Sequence, residues 1–425
     1  MRDDQTSQNG IGRRQALTGV GFGAIGLLSG CSTLPAFGQR IRYGTVDQPS
    51  QSAPFYREWL PEPEGYPLSA TRIEYVEPSN RGQSLFGAPY GGHYTKRNID
   101  YIGMDFDAFD WLLCANGHTV GSVDVDADKI NQTIPKTSYE QFDEYSGYDI
   151  YKRDDMRRTV GIGDERIIYS GFGSEPIDEI KRFIDVGAGR VQRWHEANED
   201  LARLIEAAGA APVTHVGGTR TEINSQQANF EGLTINTDDS YVYPRWLLLF
   251  PDDVNITRSE IENHIAQSAS ALDPTRIDIE QTGQLVSLLA KIRPEEFRTI
   301  ASDRPFNHMA IGQSGNVYRQ EFITWGFSHD AENNVVTVKH EAGDSINASR
   351  LTLYTVDTTA KNADERYTEA PEQFADTYEV VQPGDTRQVE VNTTENWQIN
   401  IAAEATESTA GWTEISYVPP RRVTD

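Results

Sequence analysis

The chain has 425 residues, with 64 acidic and 38 basic side chains, so its formal net charge at pH 7 is −26. The acidic residues are spread along the whole chain and no basic face can be traced, which excludes the usual way of binding nucleic acid phosphates. Hydrophobic residues make up 37% and aromatic residues 10% of the chain. That is enough to build folded cores, and the length predicts two or three domains.

The basic residues are unevenly divided, with thirty Arg and only eight Lys. A surface rich in carboxylates and poor in Lys is typical of proteins that work at very high salt, where screening makes the self-repulsion tolerable. An ordinary acidic protein is the alternative. The composition therefore indicates that the protein comes from a cell that lives in concentrated salt.

The start of the chain has the organisation of an export signal. Residues 1–12 are polar, and Arg13 and Arg14 then precede a mildly apolar stretch, 16–30. Paired arginines before a short apolar segment indicate the twin-arginine route, which exports folded proteins. The stretch is shorter than the roughly 20 residues that a membrane-spanning helix needs. We predict that residues 1–30 are a cleaved twin-arginine signal.

The end of that stretch, Leu28-Ser29-Gly30-Cys31, resembles the lipobox of lipoproteins. The resemblance implies that Cys31 becomes the new N-terminus and carries a lipid. A single lipid chain binds membranes only marginally, so we expect two chains. We predict that the lipid on Cys31 anchors the chain to a membrane. The predicted location is the extracellular face of the cytoplasmic membrane, and residues 31–54 are predicted to be a Pro-rich tether. The alternative is an ordinary secretory signal with an incidental Cys.

Residues 55–310 show strand and helix patterns in a split βαβ order that occurs twice. Helices with apolar residues three and four apart are predicted over 176–184 and 199–208, and Thr257 begins a capping box that starts another helix. A further helix is predicted over 282–292. The order predicts an α+β domain of ferredoxin-like type, duplicated as two related units split near residue 210.

The character of the sequence changes over 311–425, where apolar and polar residues alternate in several short runs. Alternation with period two and turn signals between the runs predict strands. Several such strands in succession indicate an all-β, immunoglobulin-like sandwich.

Two segments resemble known families. Gly147-Tyr-Asp-Ile-Tyr151 and Gly163-Asp-Glu-Arg-Ile-Ile168 resemble motifs of an uncharacterised family of acidic surface lipoproteins of halophilic archaea. The stretch from Val335 to Leu353 resembles the soluble β-sandwich domain of archaeal type IV pilins, with its Val-Thr-Val-x-His strand, its Glu-x-Gly-Asp turn and its Leu-x-Leu strand. Pilins carry an N-terminal apolar helix where this chain has a lipobox. The resemblance therefore implies a surface interaction module and no filament subunit.

No catalytic, cofactor-binding or metal-binding residue is predicted. The segment from Asp124 to Asp128 starts like a calcium loop, but Lys129 and Pro135 stand where a Gly and a Glu are required. The histidines have no metal-ligand spacing, and no nucleophile elbow, phosphate loop or dinucleotide fingerprint occurs. We interpret Cys114 as a buried structural thiol, with a nucleophile served by nearby His118 as the alternative.

Candidate acceptors for N-glycosylation follow the Asn-x-Ser/Thr pattern and agree with a surface location. They are Asn131, Asn255, Asn347 and Asn392.

The leading hypothesis is a non-enzymatic, lipid-anchored surface protein with an envelope, adhesion or partner-binding role, whose partner is an unidentified surface protein. The first alternative is a lipoprotein that binds a solute or peptide, with Trp59, Tyr94 and Trp246 lining a cleft. The second alternative is a surface hydrolase assembled from distant residues.

Overall fold

The computed structural model describes much of the chain but not its N-terminal segment. The described residues are 43–62, 72–78, 100, 102, 104, 108–123, 127–156, 158–171, 176–219, 221–268, 276–293, 321–357, 367–391, 397–404 and 412–417. Every structural statement below concerns these ranges.

The described residues are mostly in strands. In chain order these are β1 Arg72–Val76, β2 Phe109–Ala115, β3 His118–Val123, β4 Tyr139–Tyr145, β5 Tyr148–Arg153, β6 Arg158–Ile162, β7 Arg166–Ser170, β8 Val213–Gly218, β9 Glu222–Ile223, β10 Gln226–Gln227, β11 Phe230–Thr237, β12 Val242–Leu249, β13 Arg276–Thr282, β14 Leu285–Lys291, β15 Ile323–Asp330, β16 Val335–Gly343, β17 Ile346–Asn347, β18 Leu351–Asp357, β19 Tyr367–Glu369, β20 Val380–Val381, β21 Thr386–Glu390, β22 Trp397–Ala403 and β23 Trp412–Tyr417. The α-helices are α1 Ala127–Thr133, α2 Pro176–Gly187, α3 Trp194–Ala197, α4 Glu199–Ala208 and α5 Arg258–Ser268. Short 3-10 helices cover Phe55–Trp59, Ile134–Lys136, Ala348–Arg350 and Phe374–Asp376.

One antiparallel sheet of twelve strands dominates the fold, in the order β13-β14-β12-β11-β8-β1-β2-β3-β7-β6-β5-β4. The ferredoxin-like prediction with two units split near 210 is therefore wrong. Strand β1 pairs with β2 on one side and with β8 on the other, so the sheet continues across residue 210. The sequence pattern suggested two related units, one on each side of residue 210. The pairing of β1 with β8 joins the two halves instead.

Helices cover both faces of this sheet. Helices α2, α3 and α4 and the 3-10 helix Phe55–Trp59 pack on one face, which we call the upper face. Helix α1 packs on the lower face beside β3, β6 and β7, and α5 packs on the same face beside β12, β13 and β14. The helices form because their apolar residues recur at helical spacing, as Ile180, Phe183 and Ile184 do in α2. The sheet is thus buried between two helical layers.

Burial on both faces explains the error over 282–292, where the predicted helix is strand β14. Val286, Leu288, Ala290 and Ile292 point with period two into the lower core. Leu289 is buried with a different cluster, so the run looks continuously apolar. A strand covered on both faces cannot be told from a buried helix by periodicity alone.

The C-terminal unit, residues 321–417, contains three smaller sheets that share one core. Their orders are β15-β16-β21, β17-β20 and β19-β18-β22-β23. Trp325 and Val338 from the first sheet pack in the same core as Leu353 and Ile399 from the last. The prediction of a ferredoxin-like domain followed by an immunoglobulin-like sandwich is therefore wrong. The described chain instead forms one large sheet and, in the C-terminal unit, three smaller sheets around a shared core.

The segment before β1 lies along the large sheet. Tyr43 forms a parallel bridge with Ile277 on the edge strand β13, and Gly44 N donates to Ile277 O at 2.9 Å. Ser52 bridges to Ala210, and Pro61 bridges to Arg193. The described part of the lead segment therefore enters at the β13 edge and crosses to the helices of the upper face.

Candidate functional site

Buried charged residues join the C-terminal unit to the large sheet. They lie near the edge strand β4, at the end of the sheet opposite to the β13 edge that the lead segment contacts. The guanidinium of Arg153, at the end of β5, is fully buried. It donates to both carboxylate oxygens of Asp155 at 2.8 and 2.6 Å, and to Asp100 Oδ2 at 3.1 Å. It also reaches Glu341 Oε2 on β16 at 3.3 Å, while Arg158 pairs with the other oxygen of Asp100. We call these five residues the junction cluster.

The junction cluster also satisfies the open edge of β15. Strand β15 lies at the edge of its sheet, where backbone groups have no strand partner. Arg153 Nη2 donates to Trp325 O at 2.8 Å, and Phe327 N donates to Asp155 Oδ2 at 2.8 Å. The bidentate pair of Arg153 and Asp155 thus takes the place of a neighbouring strand and fixes β15 against the turn between β5 and β6.

Further contacts surround the junction cluster. Ser138 Oγ donates to Glu341 Oε1 at 2.6 Å, and Lys339 Nζ donates to Lys136 O at 2.9 Å. Met156 packs against the core of the C-terminal unit. A Cβ at residue 326 would overlap the Glu341 carboxylate, so Gly326 allows Glu341 to approach β15.

Burial sets the electrostatics of the junction. Desolvation raises the pKa of Glu341, although Arg153 and Ser138 stabilise its charged form. Desolvation disfavours the charge on Arg153, but the hydrogen bond to Asp155 and the field of Asp100 outweigh it and raise the pKa of Arg153. A charge buried without its partner would be costly. The junction is therefore stable only when the acidic groups from both parts of the chain meet Arg153.

A second constellation lies on the lower face, in the middle of the large sheet. Glu74 on β1 is directly opposite His215 on β8 and Cys114 on β2. Cys114 is opposite Thr119 on β3, and Thr119 is opposite Tyr169 on β7. Directly opposite residues in an antiparallel pair share a face, with Cβ atoms about 5 Å apart. We call these five residues the polar row.

The polar row is enclosed by apolar residues of the same register. On the β8 side the row continues through Leu233, Trp246 and Leu288, and on the β7 side it continues through Val160. The polar row thus lies between the packing of α5 and that of α1. It is a polar stretch between two apolar parts of the lower face.

Most of the polar row is buried, with 7% of Glu74, 4% of Cys114, 2% of Tyr169 and none of Thr119 exposed. The hydroxyls of Thr119 and Tyr169 have no hydrogen-bond partner among the described residues. Burying a hydroxyl without a hydrogen-bond partner costs free energy, because the group loses its hydrogen bonds to water. The polar row therefore contains two buried hydroxyls whose hydrogen-bonding capacity is unused among the described residues.

Cys114 is buried within the polar row, and His118 does not serve it. The ring of His118 lies on the upper face, with its centroid 5.7 Å from that of Phe183 in α2. Its Nδ1 is 2.9 Å from Ser170 Oγ. Burial, with a smaller contribution from Arg182, lowers the pKa of His118 to about 4. Ser170 is 2% exposed, so the pair of His118 and Ser170 is buried under helix α2.

The other predicted residues are placed as follows. Cys31, Arg13, Arg14, Tyr94 and Asn392 lie outside the described residues, as do Asp124 and Asp126 of the rejected calcium loop. Asn131 is in helix α1, Asn255 precedes α5, and Asn347 ends β17, all with exposed side chains.

Trp59 and Trp246 do not line a common cleft. Trp59 packs with the upper-face core, and Trp246 packs with the lower-face core beneath α5. Within the described ranges, no group of three His, Cys, Asp or Glu residues could hold a metal ion. No helix in that part of the chain is long and apolar enough to cross a membrane.

Sequence reasoning missed the polar row, although one signal was present. Glu74 stands in the middle of Arg72-Ile-Glu-Tyr-Val76, and His215 stands in Val213-Thr-His-Val216. A charged or titratable residue inside a short strand that is otherwise apolar is unusual when both faces are buried. The register that brings these residues together could not be read from the sequence.

No protein-family model and no curated protein matches the chain. Among solved structures it is similar to crystal form III of TP0453, with 11% identity and a TM-score of 0.35, over 61% of this chain and 99% of that chain. Crystal form I of TP0453 gives 11% identity and a TM-score of 0.36, over 61% of this chain and 98% of that chain. Similarity at this level leaves the function to be argued from the residues.

Proposed function

We propose that the chain is a non-enzymatic, lipid-anchored surface protein of a cell living at high salt, and that it presents its C-terminal unit to a surface protein partner. Export would use Arg13 and Arg14, and anchoring would use Cys31. The observation that carries the proposal is the junction cluster, in which Arg153 is fully buried between the two parts of the chain. A unit held by such a network has a fixed orientation.

The position of the junction supports the same proposal. The described lead segment meets the sheet at the edge strand β13, while the junction cluster lies at the end of β5, beside the other edge strand. Twelve strands at a spacing of about 4.8 Å separate the two edges by about 50 Å along the sheet. A lipid on Cys31 would therefore tether one end of the sheet, and the C-terminal unit would be offered at the other end.

The experiment has an anchoring arm and a presentation arm. In cells that make the full chain, Cys31→Ser should move the protein from the membrane fraction to the medium, and Lys at positions 13 and 14 should retain it inside the cell. Arg153→Met should lower cross-linking of the C-terminal unit to its surface partner, while the matched variant Arg387→Met, which removes an ion pair with the exposed Asp376, should not. Membrane retention of Cys31→Ser, or unchanged cross-linking of Arg153→Met, would contradict the proposal.

Ligand binding is the second candidate function, and the polar row favours it. The buried hydroxyls of Thr119 and Tyr169 lack partners within the described ranges, and they lie in the same row as Glu74. Native mass spectrometry of the protein extracted from its own membranes should then show a small molecule that is lost on denaturation. The variant Glu74→Gln should retain a smaller fraction of this bound molecule. An extracted protein with no added mass would reject this candidate.

A further inference from the structure

We propose that Asn347 is the residue among Asn131, Asn255 and Asn347 that receives an N-linked glycan, because, of these three described acceptors, it alone has its side-chain amide in contact with the hydroxyl of its own acceptor pattern. The inference rests on the proposed export route. A protein exported through the twin-arginine route is already folded when it meets a glycosyltransferase on the outer face. The folded conformation of each Asn-x-Ser/Thr site therefore decides which site reacts.

The side chain of Asn347 is exposed and held in a turn by Ser349. Its Oδ1 accepts a hydrogen bond from Ser349 N at 2.9 Å and another from Ser349 Oγ at 2.8 Å. Both bonds go to the oxygen, and Nδ2 has no acceptor among the described residues. The Ser hydroxyl that the acceptor pattern requires is thus already in contact with the amide that would be modified.

This turn favours the chemistry of transfer. The reaction forms a bond between Nδ2 and C1 of a sugar, and it breaks the bond from C1 to the phosphate oxygen of a lipid-linked glycan. The phosphate leaves with the electron pair, and one amide proton passes to a base of the transferase. Negative charge collects on Oδ1 as that proton leaves, and hydrogen bonds to the charged form stabilise it. Ser349 supplies two such bonds.

Asn255 lacks this arrangement because its hydroxyl partner is used elsewhere. Thr257 Oγ1 donates to Glu260 Oε2 at 2.8 Å, and Thr257 N donates to the same oxygen at 2.8 Å. The bond from Thr257 N, together with a bond from Glu260 N to Thr257 Oγ1 at 3.3 Å, forms the capping box at the start of α5. The hydroxyl of Thr257 is therefore committed to the helix and not to Asn255.

Asn131 also lacks this contact between amide and hydroxyl, because its acceptor pattern lies in a helix. Asn131 and Thr133 both lie in α1, and residues two apart on a helix do not face each other. Thr133 Oγ1 donates instead to Lys129 O at 2.8 Å. A transferase would have to unwind α1 to bring the hydroxyl to the amide.

The test is glycopeptide mass spectrometry of the full chain taken from the surface-labelled fraction of the cells that make it. We expect a glycan on the Asn347 peptide and unmodified Asn131 and Asn255 peptides. Ser349→Ala destroys the acceptor pattern itself and is the negative control, while Ser349→Thr preserves both the pattern and the hydroxyl and should keep the glycan.

The outcomes separate the two proposals. Surface-labelled chain with an unmodified Asn347, or with a glycan on Asn131 or Asn255, would overturn this inference and leave the surface location intact. A chain that is absent from the labelled fraction would overturn the proposed function, and this inference would fall with it.

Discussion

At the scale of single residues, the molecule is unusual in the polar groups that it buries within an apolar sheet. Thr119 and Thr214 are both fully buried threonines in neighbouring parts of the same sheet. The hydroxyl of Thr214 accepts from Ala211 N and donates to Ala211 O, whereas that of Thr119 has no partner among the described residues. The two residues therefore form a matched pair for measuring what an unpaired hydroxyl costs.

Replacing Thr119 by Val should raise the free energy of unfolding by about 1 kcal/mol, because it removes an unpaired buried hydroxyl without changing the side-chain shape. Thr214→Val should lower it by about 1 kcal/mol or more, because it leaves two backbone groups unpaired. Denaturant unfolding of both variants measures these changes. A loss of stability in Thr119→Val would mean that a ligand or water occupies the polar row.

His118 makes stability depend on pH. Its pKa is lowered by burial from 6.5 to about 4, so between these values the unfolded chain binds more protons than the folded chain. Its stabilising contribution is present above pH 6.5 and is lost as the pH falls toward 4. The expected loss from pH 7 to pH 4 is about 3 kcal/mol.

The variant His118→Asn keeps an amide donor near Ser170 and cannot titrate, so its unfolding free energy should fall less over this range than that of the wild type. Denaturant unfolding at the two pH values measures the difference. His329→Asn is the control, since His329 is more exposed than His118. Equal pH dependence in the wild type and His118→Asn would refute the assignment.

At the scale of elements, the edge of β15 is closed by two side chains from the turn between β5 and β6. A neighbouring strand would pair with a whole row of backbone groups. Here Arg153 donates to Trp325 O, and Asp155 accepts from Phe327 N. Since the same guanidinium also neutralises Glu341, edge closure and charge pairing depend on one residue.

Arg153→Met should lower the free energy of unfolding by about 3–5 kcal/mol, because it leaves the carboxylates of Asp155 and Glu341 buried without their partner. Arg387→Met should cost about 1 kcal/mol, since its partner Asp376 is 53% exposed and stays solvated when the pair is broken. Chemical unfolding of the two variants makes the comparison. Similar small losses in both would show that the junction cluster does not hold the C-terminal unit.

At the scale of the whole molecule, a net charge of −26 opposes the compact state. Exposed charges repel over a Debye length of about 10 Å at 0.1 M salt and about 3 Å at 1 M salt, while buried pairs are screened much less. Added salt should therefore relieve surface repulsion and leave the junction cluster intact.

The melting temperature should accordingly rise between 0.1 M and 2 M KCl. Scanning calorimetry measures it, and equiosmolar sucrose is the control for excluded-solute effects. Arg153→Met should show a rise similar to that of the wild type, because the junction is shielded from solvent. A melting temperature that stays constant or falls in KCl would count against the high-salt interpretation.

Local patterns predicted several elements well. The helices over 176–184 and 199–208 lie within α2 and α4, and the capping box of Thr257 and Glu260 is formed with both of its hydrogen bonds. These features depend on residues close in sequence, so a short window contains the relevant information. Strand β14 was mistaken for a helix because its second face is also buried.

The sequence by itself determined the acidic character, the helices over 176–184 and 199–208 and the β character of the C-terminal part, because composition, caps and periodicity are properties of neighbouring residues. Only the tertiary structure decided that β1 joins two halves into one sheet, that Glu74, Cys114 and Thr119 lie in one row, and that Arg153 meets Glu341. Each of these depends on strand register or on contact between residues far apart in the chain. A one-residue shift in register would have turned the polar row to the other face.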